Sequence, residues 1–226
     1  MTTVHAVHTT SDLSWWQRVA PILGFSPTSA PGGYAGSGLL TVHHATEDSA
    51  PGATHLEILV SDPVAVLTAA EAVATVTDGT ARATDGTAIT VSAAVENSRT
   101  PMLASGQTPV AVMPIWYGPD PQEPTAILTG LGLQPRLASD SGTWNDFTAD
   151  GGGQVAWHGA PSVALRLSLE QSGDLDALAA RLTEEGVGAT VVDEAYNRTL
   201  LVDTPDGEKL WVNGTQKDLY GYHHAS

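Results

Sequence analysis

The chain has 226 residues, a formal net charge of −16 and no cysteine. Without cysteine there is no disulfide, no thiolate nucleophile and no sulfur-ligated metal, which leaves His, Asp and Glu as the available metal donors. With only 9 Lys+Arg the surface repels phosphate backbones and anionic lipids, so neither nucleic acid nor membrane is an expected partner. The first residues lack the basic and apolar regions of a signal peptide, and no apolar run reaches the ~18–20 residues that span a bilayer. The expectation is a cytoplasmic monomer or homodimer whose partner is a small molecule.

The chain reads as four segments of one layout: a strand, an Asp- or Pro-rich turn, a helix, then strands punctuated by glycine. The first opens with Val4-His5-Ala6-Val7-His8. Its helix starts near Ser11 and Asp12, which suit an N-cap, and stops at Gly24. Its last strand is expected over 38–43. The second opens at 55–60 and enters a helix at Pro63, an allowed first-turn proline, running to about Val73. Two Asp-Gly turns, Asp78-Gly79 and Asp85-Gly86, then mark hairpins that lead to a strand at 88–91.

A polar stretch, with Asn97, Ser98, Arg99, Pro101, Ser105 and Gly106, reads as a linker. The third segment has a strand over 110–117, a helix ending at Leu131-Gly132, and strands at 144–147 and 154–158. Gly151-Gly152-Gly153 reads as a turn; no helix follows it, so it is not a phosphate loop. The fourth has a strand at 163–167 and a helix over 174–185 with Leu175, Leu178, Ala179 and Leu182 as its apolar stripe. Final strands are expected at 199–202 and 209–212. His223-His224 is expected in a mobile end. Trp15 and Trp16 are assigned to packing of the first helix, and Trp157 to the helix-facing side of its strand.

The repeated unit resembles the βαβββ module of the vicinal-oxygen-chelate superfamily, which includes glyoxalases, bleomycin-resistance proteins and extradiol dioxygenases. The resemblance is carried by 5–25, 55–63, 144–158 and 175–212, and the run from Thr204 to Val212 looks like the family's closing hairpin. It implies an α+β fold of four modules paired into two domains: 1–96, a linker at 97–108, 109–216, and a tail at 217–226.

In that family metal ligands stand at the start of each module's first strand, as His or Gln, and near the end of its last strand, as Glu. The first kind lies seven residues before the helix-opening Asp. His5 stands seven before Asp12 and His55 seven before Asp62. The Glu places fall on Thr41 and Thr90, which cannot replace a carboxylate. The resemblance therefore implies a divalent metal (Fe, Zn, Ni or Mn) in the N-terminal domain, held by His5, His55 and His43, with Glu57 as a further donor or as the catalytic base. The alternative reading of these histidines is a polar face of unmetallated imidazoles.

In the second domain the corresponding positions fall on Met113, near Ser162, and on Trp211, so no metal is expected there. Its inner face offers Met113, Ile115, Tyr117, Ala164, Arg166 and Trp211, and a flat or anionic ligand would be bound by Tyr117, Arg166 and Trp211. The alternative is that Trp211 merely fills a degenerate cleft. Two functions follow. The first is a small-molecule binder, in the manner of the family's drug-sequestering members, without chemistry. The second is a metal-dependent lyase, isomerase or dioxygenase using His5 and His55.

Overall fold

A computed structural model describes residues 1–94, 110–194, 197–216 and 218–225. The expected linker, 97–108, lies outside them.

The first module runs β1 (Thr2–Thr10), α1 (Leu13–Leu23), β2 (Ser26–Pro27), β3 (Gly33–Gly36) and β4 (Gly38–His44). Asp12 caps α1 by accepting from the backbone N–H groups of Ser14 and Trp15. Gly24 ends it in the left-handed region at φ 106°, the conformation in which glycine has no Cβ penalty. The second module runs β5 (Thr54–Val60), α2 (Pro63–Ala70), β6 (Thr75–Thr77), β7 (Thr80–Arg82) and β8 (Ala88–Ala93). Its helix closes a turn earlier than the sequence reading. Asp78 and Gly79, both at positive φ, make the tight turn between β6 and β7.

These strands form one unbroken eight-stranded sheet in the order β2-β3-β4-β1-β5-β8-β7-β6. In each module the first strand pairs parallel to the last, β1 with β4 and β5 with β8. The two first strands meet antiparallel at the centre. Strand alternation sends Val4, Ala6 and His8 to the helix-covered face and His5, Val7 and Thr9 to the other.

The third module runs β9 (Val110–Val112), β10 (Ile115–Gly118), α3 (Gln122–Gly130), β11 (Gln134–Ser139), β12 (Trp144–Thr148) and β13 (Gln154–Gly159). The fourth runs β14 (Ala164–Arg166), β15 (Ser168–Gln171), α4 (Leu175–Glu184), β16 (Ala189–Asp193), β17 (Arg198–Asp203) and β18 (Lys209–Gly214), and β19 (Tyr222–His224) follows. In α4, Leu175, Leu178 and Leu182 are the buried stripe.

Here the sheet is split, which is the main departure from the expected plan. The strand expected over 110–117 is broken at Met113-Pro114, and the one expected at 163–167 becomes β14 and β15. β10 and β14 belong to one sheet, β14-β10-β13-β12-β11-β19, while β9 and β15 belong to another, β16-β17-β18-β15-β9. The physical cause is Pro114, which has no N–H to give to a ladder. Across the break, the N–H of Leu167 leaves the sheet and bonds Thr54 Oγ1 in the N-terminal half, 3.1 Å away.

The halves are joined along their length. α1 packs on α4 and α2 on α3, and one buried apolar cluster runs through both halves, with Trp15, Trp16 and Trp157 inside it. Ser37 exchanges backbone hydrogen bonds with Val110 and Val112. The glycine triplet is the tightest contact. Gly151 donates to the Thr2 carbonyl, Val4 donates to the Gly152 carbonyl, and Gly153 donates to Ser37 Oγ. A Cβ on Gly153 would lie 2.5 Å from Val4 Cβ, so only glycine fits there. The terminal histidines, expected to be mobile, sit in β19 and pair antiparallel with the edge of β11.

Candidate functional site

His5, His43 and His55 lie on the open sheet face, in registers that explain their environments. His5 stands directly opposite Glu57, and His55 opposite Val7, so His5 and His55 are diagonal neighbours across β1 and β5. Such diagonals stand roughly 7–8 Å apart, close enough to share an ion only with further donors. Those donors are not assembled. His5 Nδ1 bonds Glu57 Oε2 at 2.7 Å and His5 Nε2 bonds Thr41 Oγ1 at 2.8 Å, so both ring nitrogens are engaged. Thr41 is the residue at one of the expected carboxylate places. His43 and His55 are exposed, as is Thr90. Among the described residues no group of three or more His, Asp or Glu side chains is placed to hold a metal ion. The set expected from the sequence, His5, His43 and His55, is not drawn together among the described residues: His5 is held by Glu57 and Thr41, and His43 and His55 are both exposed. Glu57 accepts from His5, and that bond holds its carboxyl below the usual range. A carboxylate stabilised in this way is a poorer proton acceptor.

In the C-terminal half the break in the sheet leaves space. A cavity of about 520 Å³ lies along the seam, where β10, β14 and the 204–211 hairpin face His8 and Trp16 of the N-terminal half. Tyr117, Arg166 and Trp211, the expected ligand-binding residues, all line it. Arg166 is not a free cation there, because Glu208 pairs with it. His8 is the buried titratable group of this wall. Its Nδ1 meets Thr54 Oγ1 at 3.1 Å, its ring stands edge-on to Trp16, and burial pushes its pKa down to about 4 against the opposing pull of Asp206. Asp206 Oδ2, 3.8 Å from His8 Nε2, has no hydrogen-bond partner among the described residues.

A second cavity, of about 180 Å³, occupies the concave face of the C-terminal half. Ile115, Tyr117 and Trp211 line both cavities, so these side chains form the wall between them. The rest of the second cavity is built from residues that the sequence reading did not single out as functional. Its floor is Arg136, with Nε and Nη2 on Asp146 at 2.7 and 3.0 Å and Nη1 and Nη2 on Glu170 at 3.1 and 2.7 Å. Trp144 Nε1 donates to Asp146 and Gln154 Nε2 donates to Glu170. Burial works against the Arg136 charge, but the two carboxylates outweigh it and raise its pKa. Each carboxylate is thus held by a bidentate fork, the arrangement that makes a buried charge tolerable.

The walls are aromatic. Tyr117 and Trp144 both pack against His158, at ring-centroid distances of 5.5 and 6.1 Å, with Trp211 and Tyr222 completing the lining. Tyr222 comes from β19, and burial, together with Asp146 and Glu194, pushes its pKa up to about 12. Tyr117 is likewise raised, chiefly by burial. Glu170 is reached because the strand that crosses the cleft is β15, six residues beyond the expected start at Ser162. The place expected to match a metal ligand, Met113, belongs to an apolar cluster with Ile115 and Ala156.

Several solved structures share this fold. The Mn(II)-bound glyoxalase from Novosphingobium aromaticivorans matches with TM-score 0.62 and 16% identity over 95% of this chain and 81% of its own. A catechol 2,3-dioxygenase matches with TM-score 0.60 and 13% identity over 98% of this chain and 94% of its own. The 2,3-dioxygenase LapB from Pseudomonas sp. KL28 matches with TM-score 0.57 and 12% identity over 99% and 92%. No family model and no curated protein matches the sequence. The chain has the vicinal-oxygen-chelate fold, four βαβββ modules in two paired halves. At these identities the likeness establishes the fold alone, and function rests on the site.

Proposed function

We propose that this protein binds a small organic molecule in the aromatic cleft of its C-terminal half, without a metal held by the cleft residues. One observation carries the reading. The cleft is a preformed cavity whose floor carboxylates are both hydrogen-bonded to Arg136 and whose walls are Tyr117, Trp144, Trp211 and Tyr222. Enclosed apolar space with few convergent polar groups is the usual form of a small-molecule site. A ligand there gains from ring stacking, worth about 0.5–1.5 kcal/mol per well-placed aromatic pair beyond area burial. Adjoining space along the seam gives room for a substituent.

Thermal unfolding against a panel of aromatic acids, amines and phenols tests the reading. A ligand present at a hundred times its dissociation constant stabilises the folded state by about 2.7 kcal/mol. The expected result is a saturable rise in melting temperature for at least one class, lost in Trp211→Ala. Trp211 is at the surface, with 36% exposure, so its removal leaves the core intact. A flat response across the panel, or a shift unchanged in Trp211→Ala, overturns the reading.

A further inference from the structure

The charge balance of the same cleft carries its ligand's class. Arg136 is the guanidinium of the floor, and its three nitrogens all donate to Asp146 or Glu170. Two carboxylates against one guanidinium leave the floor with an excess negative charge. A third carboxylate stands behind the lining, close enough to act on the Tyr117 and Tyr222 phenols. Glu194 follows β16, and its backbone N–H bonds the Asn197 carbonyl to close the turn; Asn197 itself lines the cavity. The Oε2 atom of Glu194 is buried and has no hydrogen-bond partner among the described residues. A buried carboxylate oxygen left unpaired is costly, and a positive ligand group would remove that cost. The aromatic faces favour the same sign of charge, since a ring quadrupole attracts a cation held within about 6 Å of its centroid. Among the described residues an anion would meet no unpaired cation: Arg136 is taken by the floor, and on the neighbouring cavity Arg166 is paired with Glu208 and Lys209 with Asp203.

We infer that the C-terminal cleft takes a compact organic cation, an arylalkylammonium or a quaternary ammonium, with its charge between the aromatic walls and Glu194. This rests on the proposal that the cleft is the ligand site, and it revises the expectation of a flat or anionic ligand held by Arg166.

The test is a titration followed by tryptophan fluorescence at physiological salt, which screens attraction to the acidic surface as a whole. Trp144 and Trp211 line the cleft and Trp16 borders the seam cavity, so a response lost in Trp144→Phe reports the cleft. Two probes share one shape and differ in charge, benzyltrimethylammonium and its neutral isostere neopentylbenzene; phenylacetate serves as the anion. The expected result is saturable binding of the cation, at least tenfold tighter than the neutral probe, with no binding of the anion. Glu194→Gln should weaken the cation about tenfold and leave the neutral probe unchanged. Equal or tighter binding of the neutral or anionic probe overturns this inference while leaving the cleft as the ligand site. So does a Glu194→Gln variant that binds the cation as well as the parent. Failure of all three probes to bind, in a protein that the aromatic panel also fails to stabilise, overturns both readings.

Discussion

Lowering the pH should destabilise this protein through His8 in a way that can be isolated. His8 is buried between Trp16, Thr54 and Asp206, and its pKa falls from 6.5 to about 4. The unfolded chain therefore binds a proton at this residue between about pH 6.5 and pH 4 that the folded chain refuses. Stability consequently rises with pH through that window and is lost as the solution is acidified. The slope cannot exceed ~1.4 kcal/mol per pH unit for one proton. Integrated from pH 7.5 to pH 4.5 with these two values, the loss is about 2.5 kcal/mol. Asp and Glu side chains titrate over the lower part of the same range, so the measurement is a difference. Urea unfolding of the parent and of His8→Phe, at several pH values, places the carboxylate background in both curves. Phe retains the edge-on packing against Trp16. The parent should lose about 2.5 kcal/mol more than the variant across that range. Parallel curves would mean that His8 titrates normally, and the account of its burial would fail.

Three further outcomes follow from the same structure. Arg136→Met leaves Asp146 and Glu170 buried without their cation and should cost roughly 3–5 kcal/mol in urea unfolding at neutral pH; a loss under about 1 kcal/mol would show that the floor is wetter than its geometry implies. Gly153→Ala forces a Cβ to within 2.5 Å of Val4 Cβ at a backbone φ of 85°. It should destabilise the join between the halves by roughly 1–3 kcal/mol, and an unchanged melting temperature would contradict that contact. Mn(II) titration followed by calorimetry should show no micromolar site dependent on His5, because Thr41 and Glu57 occupy both its nitrogens; a stoichiometric site abolished in His5→Ala would reverse that conclusion.

The repeated modules were legible because their signals are local. Asp12 and Gly24 bracket α1, Asp174 and the leucine stripe define α4, and Asp78-Gly79 makes its hairpin, all within a few residues of one another. The metal positions were found by the same short-range spacing, but whether they assemble a site depends on partners fixed by strand register. His5 meets Glu57 and Thr41 only because β1 lies between β4 and β5. The cleft was less legible for the same reason. Arg136, Asp146 and Glu170 come from three strands, and two of those strands, β11 and β15, do not stand in the sequence reading as drawn. Pro114 was visible as a residue, yet its effect on the sheet appears only when its neighbours are known. β16 and β19 carry little periodicity of their own and owe their form to the edges they cover.

The last of these strands has a consequence for how the chain can be handled. β19 hides the outer edge of β11 and also carries Tyr222 into the cleft. A chain truncated before Leu219 would lose both at once. Residues 134–139 would then present bare N–H and C=O groups, the template on which strands of separate molecules pair and aggregate. Loss of binding in such a truncation would thus come with a tendency to self-associate, whereas Tyr222→Ala removes the ring and keeps the edge covered.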